Sequence, residues 1–157
     1  MELIKSKYFT LRELTASSVA RGRKLQNIPV ESQLANLQAL VTHVLDPLRA
    51  LYGSPLYVNS AFRSAEVNAA VGGEANSQHT KGQAADITTG SPDGNRRLLG
   101  LILAHCAPAA PLPDGRGQGV GLLPFDQLIA EKCDRYGRPR WIHISYSPKG
   151  RGEVLFS

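Results

Sequence analysis

The sequence predicts an α+β fold in which helices flank a small, mostly antiparallel sheet. Three observations carry this expectation. Apolar residues recur at helical spacing between Leu34 and Leu51, and two short strand-like segments alternate with helical ones in the middle of the chain. Near the carboxyl end, two further strand-like segments are separated by Asp134-Arg-Tyr-Gly137-Arg, a string whose turn residues suit an antiparallel hairpin.

Taken in order, Thr10-Leu-Arg-Glu13 has capping-box spacing and opens a short helix through Leu11 and Leu14. Leu34, Leu37, Val41, Val44, Leu48 and Leu51, with Leu40 and Leu45 beside them, form the stripe of an amphipathic helix that ends at Gly53. Pro47 lies inside that stripe, so the helix should kink or break near Leu45. Pro55-Leu-Tyr-Val-Asn-Ser-Ala reads as a strand, and Ser64 as the N-cap of a helix through Val67 and Val71 that stops at Gly72-Gly73. After a polar loop, Gln83-Ala-Ala-Asp-Ile-Thr-Thr reads as a strand, and a leucine-rich helix runs from Asn95 to Cys106. Segment 107–121, with three prolines and four glycines, reads as a long flexible loop, either bordering a site or serving as a surface linker. Phe125-Asp-Gln-Leu-Ile-Ala-Glu131 and Arg140-Trp-Ile-His-Ile-Ser-Tyr146 are the hairpin strands.

Composition bounds the class. With 157 residues, 42% hydrophobic and 20% charged, the chain reads as one soluble globular domain, 1–157, rather than a disordered or fibrous protein. A net charge of +5 favours anionic partners. Nucleic acid is not expected among them, because Arg21-Gly-Arg23-Lys24 is the only dense basic run and no reader motif accompanies it. Cys106 and Cys133 do not form a C-x-x-C pair and should be free thiols. Apolar stretches such as 98–104 fall short of the roughly 18–20 residues that span a bilayer. The basic amino terminus lacks an apolar segment behind it, so synthesis in the cytoplasm without a secretory signal is expected, and so is a monomer.

The chemistry concentrates in Ser77-Gln-His79-Thr-Lys-Gly82-Gln-Ala84-Ala-Asp86, where a histidine and an aspartate lie on either side of a glycine that lets the chain bend. In Trp141-Ile-His143-Ile-Ser145, strand alternation puts His143 on the face of Trp141 and Ser145, opposite Ile142 and Ile144. Two imidazoles and one carboxylate suit zinc and leave its fourth tetrahedral position open. His43, on the long helix, and His105, at a helix end, read as structural.

The string Ser77-x-His79-x-x-Gly82-x-Ala84-x-Asp86, preceded by Ser60-Ala-Phe62-Arg63-Ser64 and followed by Trp141-x-His143, resembles the zinc D-alanyl-D-alanine carboxypeptidases of peptidase family M15. The similarity to the phage and bacterial branch extends to Tyr8-Phe-Thr-Leu-Arg-Glu13-Leu, Val44-Leu-Asp-Pro-Leu-Arg49, Asn68-x-x-Val71-Gly-Gly and Phe125-Asp-Gln-Leu-Ile, nearly the whole chain. The resemblance implies a hedgehog-like or D-Ala-D-Ala peptidase-like fold and a Zn2+ held by His79, Asp86 and His143. It also implies an Arg63 that addresses the substrate's carboxylate end, and Ser77 and Gln78 lining the same cleft. The implied activity is hydrolysis of a peptide bond in peptidoglycan stem peptides, as a carboxypeptidase or an endolysin-like enzyme reaching the cell wall after release. The alternative is an inactive zinc-containing domain that binds a peptide or the wall.

One position departs from the family pattern. Many members carry a glutamate three residues before the last zinc histidine, where this chain has Arg140. Glu131 or Asp126 must then supply the catalytic carboxylate. A three-residue loop Tyr136-Gly-Arg138, with Gly137 left-handed, pairs Arg135 with Pro139 and places Glu131 opposite His143. A two-residue loop pairs Ala130 with His143 instead and leaves Asp126 or Asp134 as candidates.

Overall fold

The computed structural model describes residues 4–106 and 124–157, so the expected loop at 107–121 lies outside the described residues. The fold is α+β, with five strands among the described residues in the order β1-β2-β4-β3-β5. They are β1 (Tyr57–Ser60), β2 (Ala84–Thr88), β3 (Gln127–Glu131), β4 (Trp141–Ser145) and β5 (Glu153–Phe156). The first four pair antiparallel, and β5 runs parallel to β3 at the edge. β5 was not expected from the sequence; its four residues are too few for a readable alternation.

The amino-terminal helices are α1 (Leu11–Thr15) and α2 (Ser18–Arg23), and α1 opens with the expected reciprocal box between Thr10 and Glu13. α3 (Glu31–Leu40) continues through a five-residue π-helical segment, Val41–Leu45, into α4 (Asp46–Tyr52). The irregularity expected near Leu45 is thus a local widening that ends at Leu45, and the helix continues past it. Proline cannot donate to the carbonyl four residues back, and a wide turn, with the Asp46 N–H bonding the Val41 carbonyl, passes its ring without ending the helix. Gly53 then ends α4 in the left-handed conformation, at φ 80°. α5 (Ala65–Ala70) starts at the Ser64 cap, as expected. α6 (Pro92–Cys106) starts three residues before the expected Asn95, because Ser91 caps it through the Gly94 N–H and Pro92 suits a first helical turn.

Strand alternation divides the sheet into two faces. Ala85, Ile87, Leu128, Ala130, Ile142 and Ile144 are buried on one, against Leu37, Leu40, Val44 and Leu48 of the long helix and Leu98 and Ile102 of α6. Each fully buried leucine or isoleucine contributes about 1.5–3 kcal/mol relative to exposure, so this face anchors the sheet. Asp86, Ile129, Glu131, Trp141 and His143 project from the other face.

The hairpin register corrects one expectation. The Asp134 N–H donates to the Arg138 carbonyl and the Gly137 N–H to the Asp134 carbonyl, both at 3.0 Å, so the three-residue loop is Arg135-Tyr-Gly137. Gly137 is left-handed as expected, at φ 74°. It occupies the last loop position, where the residue after a type I turn must be left-handed, and not the middle one. Moving the loop by one residue moves the pairing by two: Ile129 lies opposite His143, and Glu131 opposite Trp141. A shift of two preserves the face, so Glu131 stays on the side of His143 as a diagonal neighbour.

Candidate metal centre

His79 sits on a single 3₁₀ turn, Gln78–Lys81. The Ser77 hydroxyl caps it by accepting from the His79 N–H at 3.2 Å, and Gly82 closes it at φ 75°. A β-carbon on Gly82 would lie 2.5 Å from the Gln33 carbonyl oxygen of α3, so the turn seats against that helix only because residue 82 has no side chain. The His79 ring is buried, and its Nδ1 lies 2.7 Å from the Ala61 carbonyl. Nδ1 therefore donates to that carbonyl, which fixes the ring and leaves Nε2 facing Asp86.

Asp86 on β2 and His143 on β4 are directly paired across the two strands. Asp86 Oδ1 lies 3.0 Å from His143 Nδ1 and 3.4 Å from His79 Nε2. Burial alone would raise the Asp86 carboxyl, but hydrogen bonds from His143 and His79 outweigh it and hold the group well below the usual carboxylate range. The three candidate ligand atoms all lie within 4.8 Å of one another. Donors bound to a tetrahedral zinc at about 2.0–2.1 Å stand about 3.3–3.4 Å apart, so the N, N, O donor set suits such an ion and the two Asp86 separations of 3.0 and 3.4 Å come close to that spacing.

This cluster forms part of a cleft of about 520 Å3, lined also by Arg63, Ser77, Gln78, Glu131, Trp141 and Arg151. Arg63 is half-buried; its N–H bonds the His79 carbonyl at 3.1 Å, while its Nε is buried with no partner. Burial lowers its pKa, and the nearby charge of Asp86 opposes that shift. Glu131 accepts a long hydrogen bond from the Ser157 hydroxyl at 3.4 Å. Arg140 is exposed, and its even-numbered place at the head of β4 is on the opposite parity from His143.

Asp126 stands apart from the cleft wall. It is buried, with Oδ1 and Oδ2 accepting from Arg151 Nε and Nη2 at 2.9 and 3.1 Å, and Oδ2 also accepting from Gln78 Nε2 at 2.8 Å. The Arg151 hydrogen bonds are the main reason its pKa is held down to about 2. Asp126 thereby fixes Gln78 and Arg151 at the cleft. Sequence reasoning missed Ile129 and Arg151 as lining residues; strand alternation puts Ile129 on the face of Glu131 and could have found it, whereas Arg151 has no motif around it.

A family model described as Peptidase M15 matches residues 7–105, more than half of the chain. The chain belongs to peptidase family M15. As an M15 peptidase it is a metallopeptidase, and its match includes Arg63, Ser77, Gln78, His79 and Asp86. His143 and Glu131 lie beyond the matched region and join the site through strand pairing. No curated protein matches this M15 peptidase. Among its described residues no helix is long and apolar enough to cross a membrane, and Cys133 is a free thiol.

Proposed function

We propose that this M15 peptidase uses Zn2+, held by His79, Asp86 and His143, to hydrolyse a peptide bond in bacterial peptidoglycan stem peptides, as a D-Ala-D-Ala carboxypeptidase or an endolysin-like peptidase. The observation that carries the reading is the convergence of that ligand set, Arg63 and Glu131 on one cleft. Zinc, when bound, supplies a Lewis acid for the scissile carbonyl and makes water a nucleophile near neutral pH. Glu131 takes a proton from the attacking water as its oxygen bonds the carbonyl carbon, then delivers it to the leaving amine as the C–N bond breaks. The Arg63 guanidinium, whose buried Nε has no partner, binds a substrate carboxylate and holds the scissile bond in register. Ser77 and Gln78 line the path of the peptide backbone.

A domain that binds without cutting draws its support from Arg140 at the usual glutamate position. Glu131 weakens that alternative by bringing a carboxylate into the cleft from the neighbouring strand. The test is release of product from a defined stem peptide by zinc-loaded protein, its loss on chelation and its return with zinc. Stoichiometric zinc without turnover on any stem peptide would favour the binding domain.

A further inference from the structure

The segment that carries Arg63, from Ala61 to Ser64, is neither helix nor strand, so its backbone groups need partners from elsewhere. One side chain supplies several of them. Asn27, half-buried in the link between α2 and α3, donates from Nδ2 to the Phe62 carbonyl at 3.0 Å and to the Thr15 carbonyl at 2.8 Å. Its Oδ1 accepts from the Ser64 N–H at 2.7 Å. The single amide thus grips the residues on both sides of Arg63 and ties them to the end of α1. The Arg63 N–H is itself held by the His79 carbonyl, while Ala61 holds the His79 ring.

We propose that Asn27 is a positioning residue for the Arg63 guanidinium and, through it, for recognition of the substrate's terminal carboxylate. Asn27 does not line the metal cleft, and both N–H donors of its amide are spent on backbone carbonyls, so it acts only through the turn it holds. Displacing a guanidinium by about 1 Å is enough to lose a bidentate contact and can cost up to about 100-fold in rate. The inference rests on the reading of Arg63 as the carboxylate anchor.

The test compares Nα-acetyl-D-alanyl-D-alanine with its carboxamide. Trp141, the chain's single tryptophan, lines the cleft, so its fluorescence reads binding without turnover. Zinc-loaded wild-type protein should prefer the carboxylate; Asn27→Ala and Asn27→Asp should each lose at least about tenfold of that preference, with zinc content and melting temperature close to wild type. Arg63→Ala should lose it too, and adding Asn27→Ala to that variant should change it no further, because both act on one contact. Retained preference in both Asn27 variants overturns the inference, as does unfolding or zinc loss in both, which would make Asn27 a residue of the fold. A wild-type protein without the preference overturns instead the reading of Arg63, and the inference with it.

Discussion

Asp86 and His143 lie directly opposite each other on β2 and β4, and one carboxylate oxygen of Asp86 approaches both His143 and His79, at 3.0 and 3.4 Å. Two of the three donors thus come from a strand pair with a fixed register, and only His79 depends on a turn. The ligand set is therefore largely preorganised by the sheet, which supports tight metal binding.

His79→Ala and His143→Ala should each abolish stoichiometric zinc binding, measured by elemental analysis of purified protein. Both variants should stay folded, because the apolar face of the sheet is untouched. Full zinc occupancy in either one would remove it from the ligand set.

Gly82→Ala should destabilise the protein by more than about 1 kcal/mol, since φ is positive and the new methyl meets the Gln33 carbonyl. The His79 turn would have to move, so zinc affinity should fall as well. Chelator competition checks this; unchanged affinity would mean that the turn absorbs the methyl without moving the ring.

Glu131→Gln should retain zinc while kcat falls by roughly 10²-fold or more, because the amide keeps size and hydrogen bonding but cannot accept the proton. Near-normal turnover would rule Glu131 out as the base. Loss of zinc would instead assign it a supporting role toward a ligand.

Arg63→Lys should lower kcat/KM on a stem peptide, since an ammonium cannot reproduce the two-pronged contact of a guanidinium. The assay is steady-state kinetics on a substrate with a free carboxylate. An unchanged value removes the anchoring role.

Asp126 makes stability depend on acidity. Its folded pKa of about 2 lies below the ordinary aspartate value of about 3.9, so its contribution is complete above about pH 4 and disappears as pH falls toward 2. The contribution is at most about 3 kcal/mol, reduced by the exposure of Arg151. Asp126→Asn should lower the melting temperature at pH 7, and its gap from wild type should shrink between pH 4 and pH 2. A gap that stays constant across that range would mean that the pairing with Arg151 does not set the acid sensitivity.

Much of the site was legible because its signals are local. His79 and Asp86 lie within one short string, and the alternation in Trp141-Ile-His143 gave the correct face without any knowledge of neighbours. What failed depended on geometry between elements. Gly137 announced a left-handed residue but not its place in the loop, and that choice alone decided whether Ile129 or Glu131 met His143. Asn27 gave no signal, because an asparagine between two helices reads as a turn residue until the carbonyls it reaches are known. The same applies to β5, which exists through its parallel partner β3 more than through its own pattern.

In β3 and β4, the odd-numbered positions Gln127, Ile129, Glu131, Trp141 and His143 face the cleft, Ser145 is buried beside Gln127, and the even-numbered positions face the helices. Substrate preference can therefore be re-engineered at Gln127, Ile129 and Trp141 with little cost to folding, whereas neighbouring Leu128, Ala130 and Ile142 tolerate almost nothing. Inserting a single residue within either strand would exchange the two sets beyond it, sending cleft side chains into the apolar layer and core side chains into water. Directed libraries for this protein should vary alternate codons and leave strand length alone.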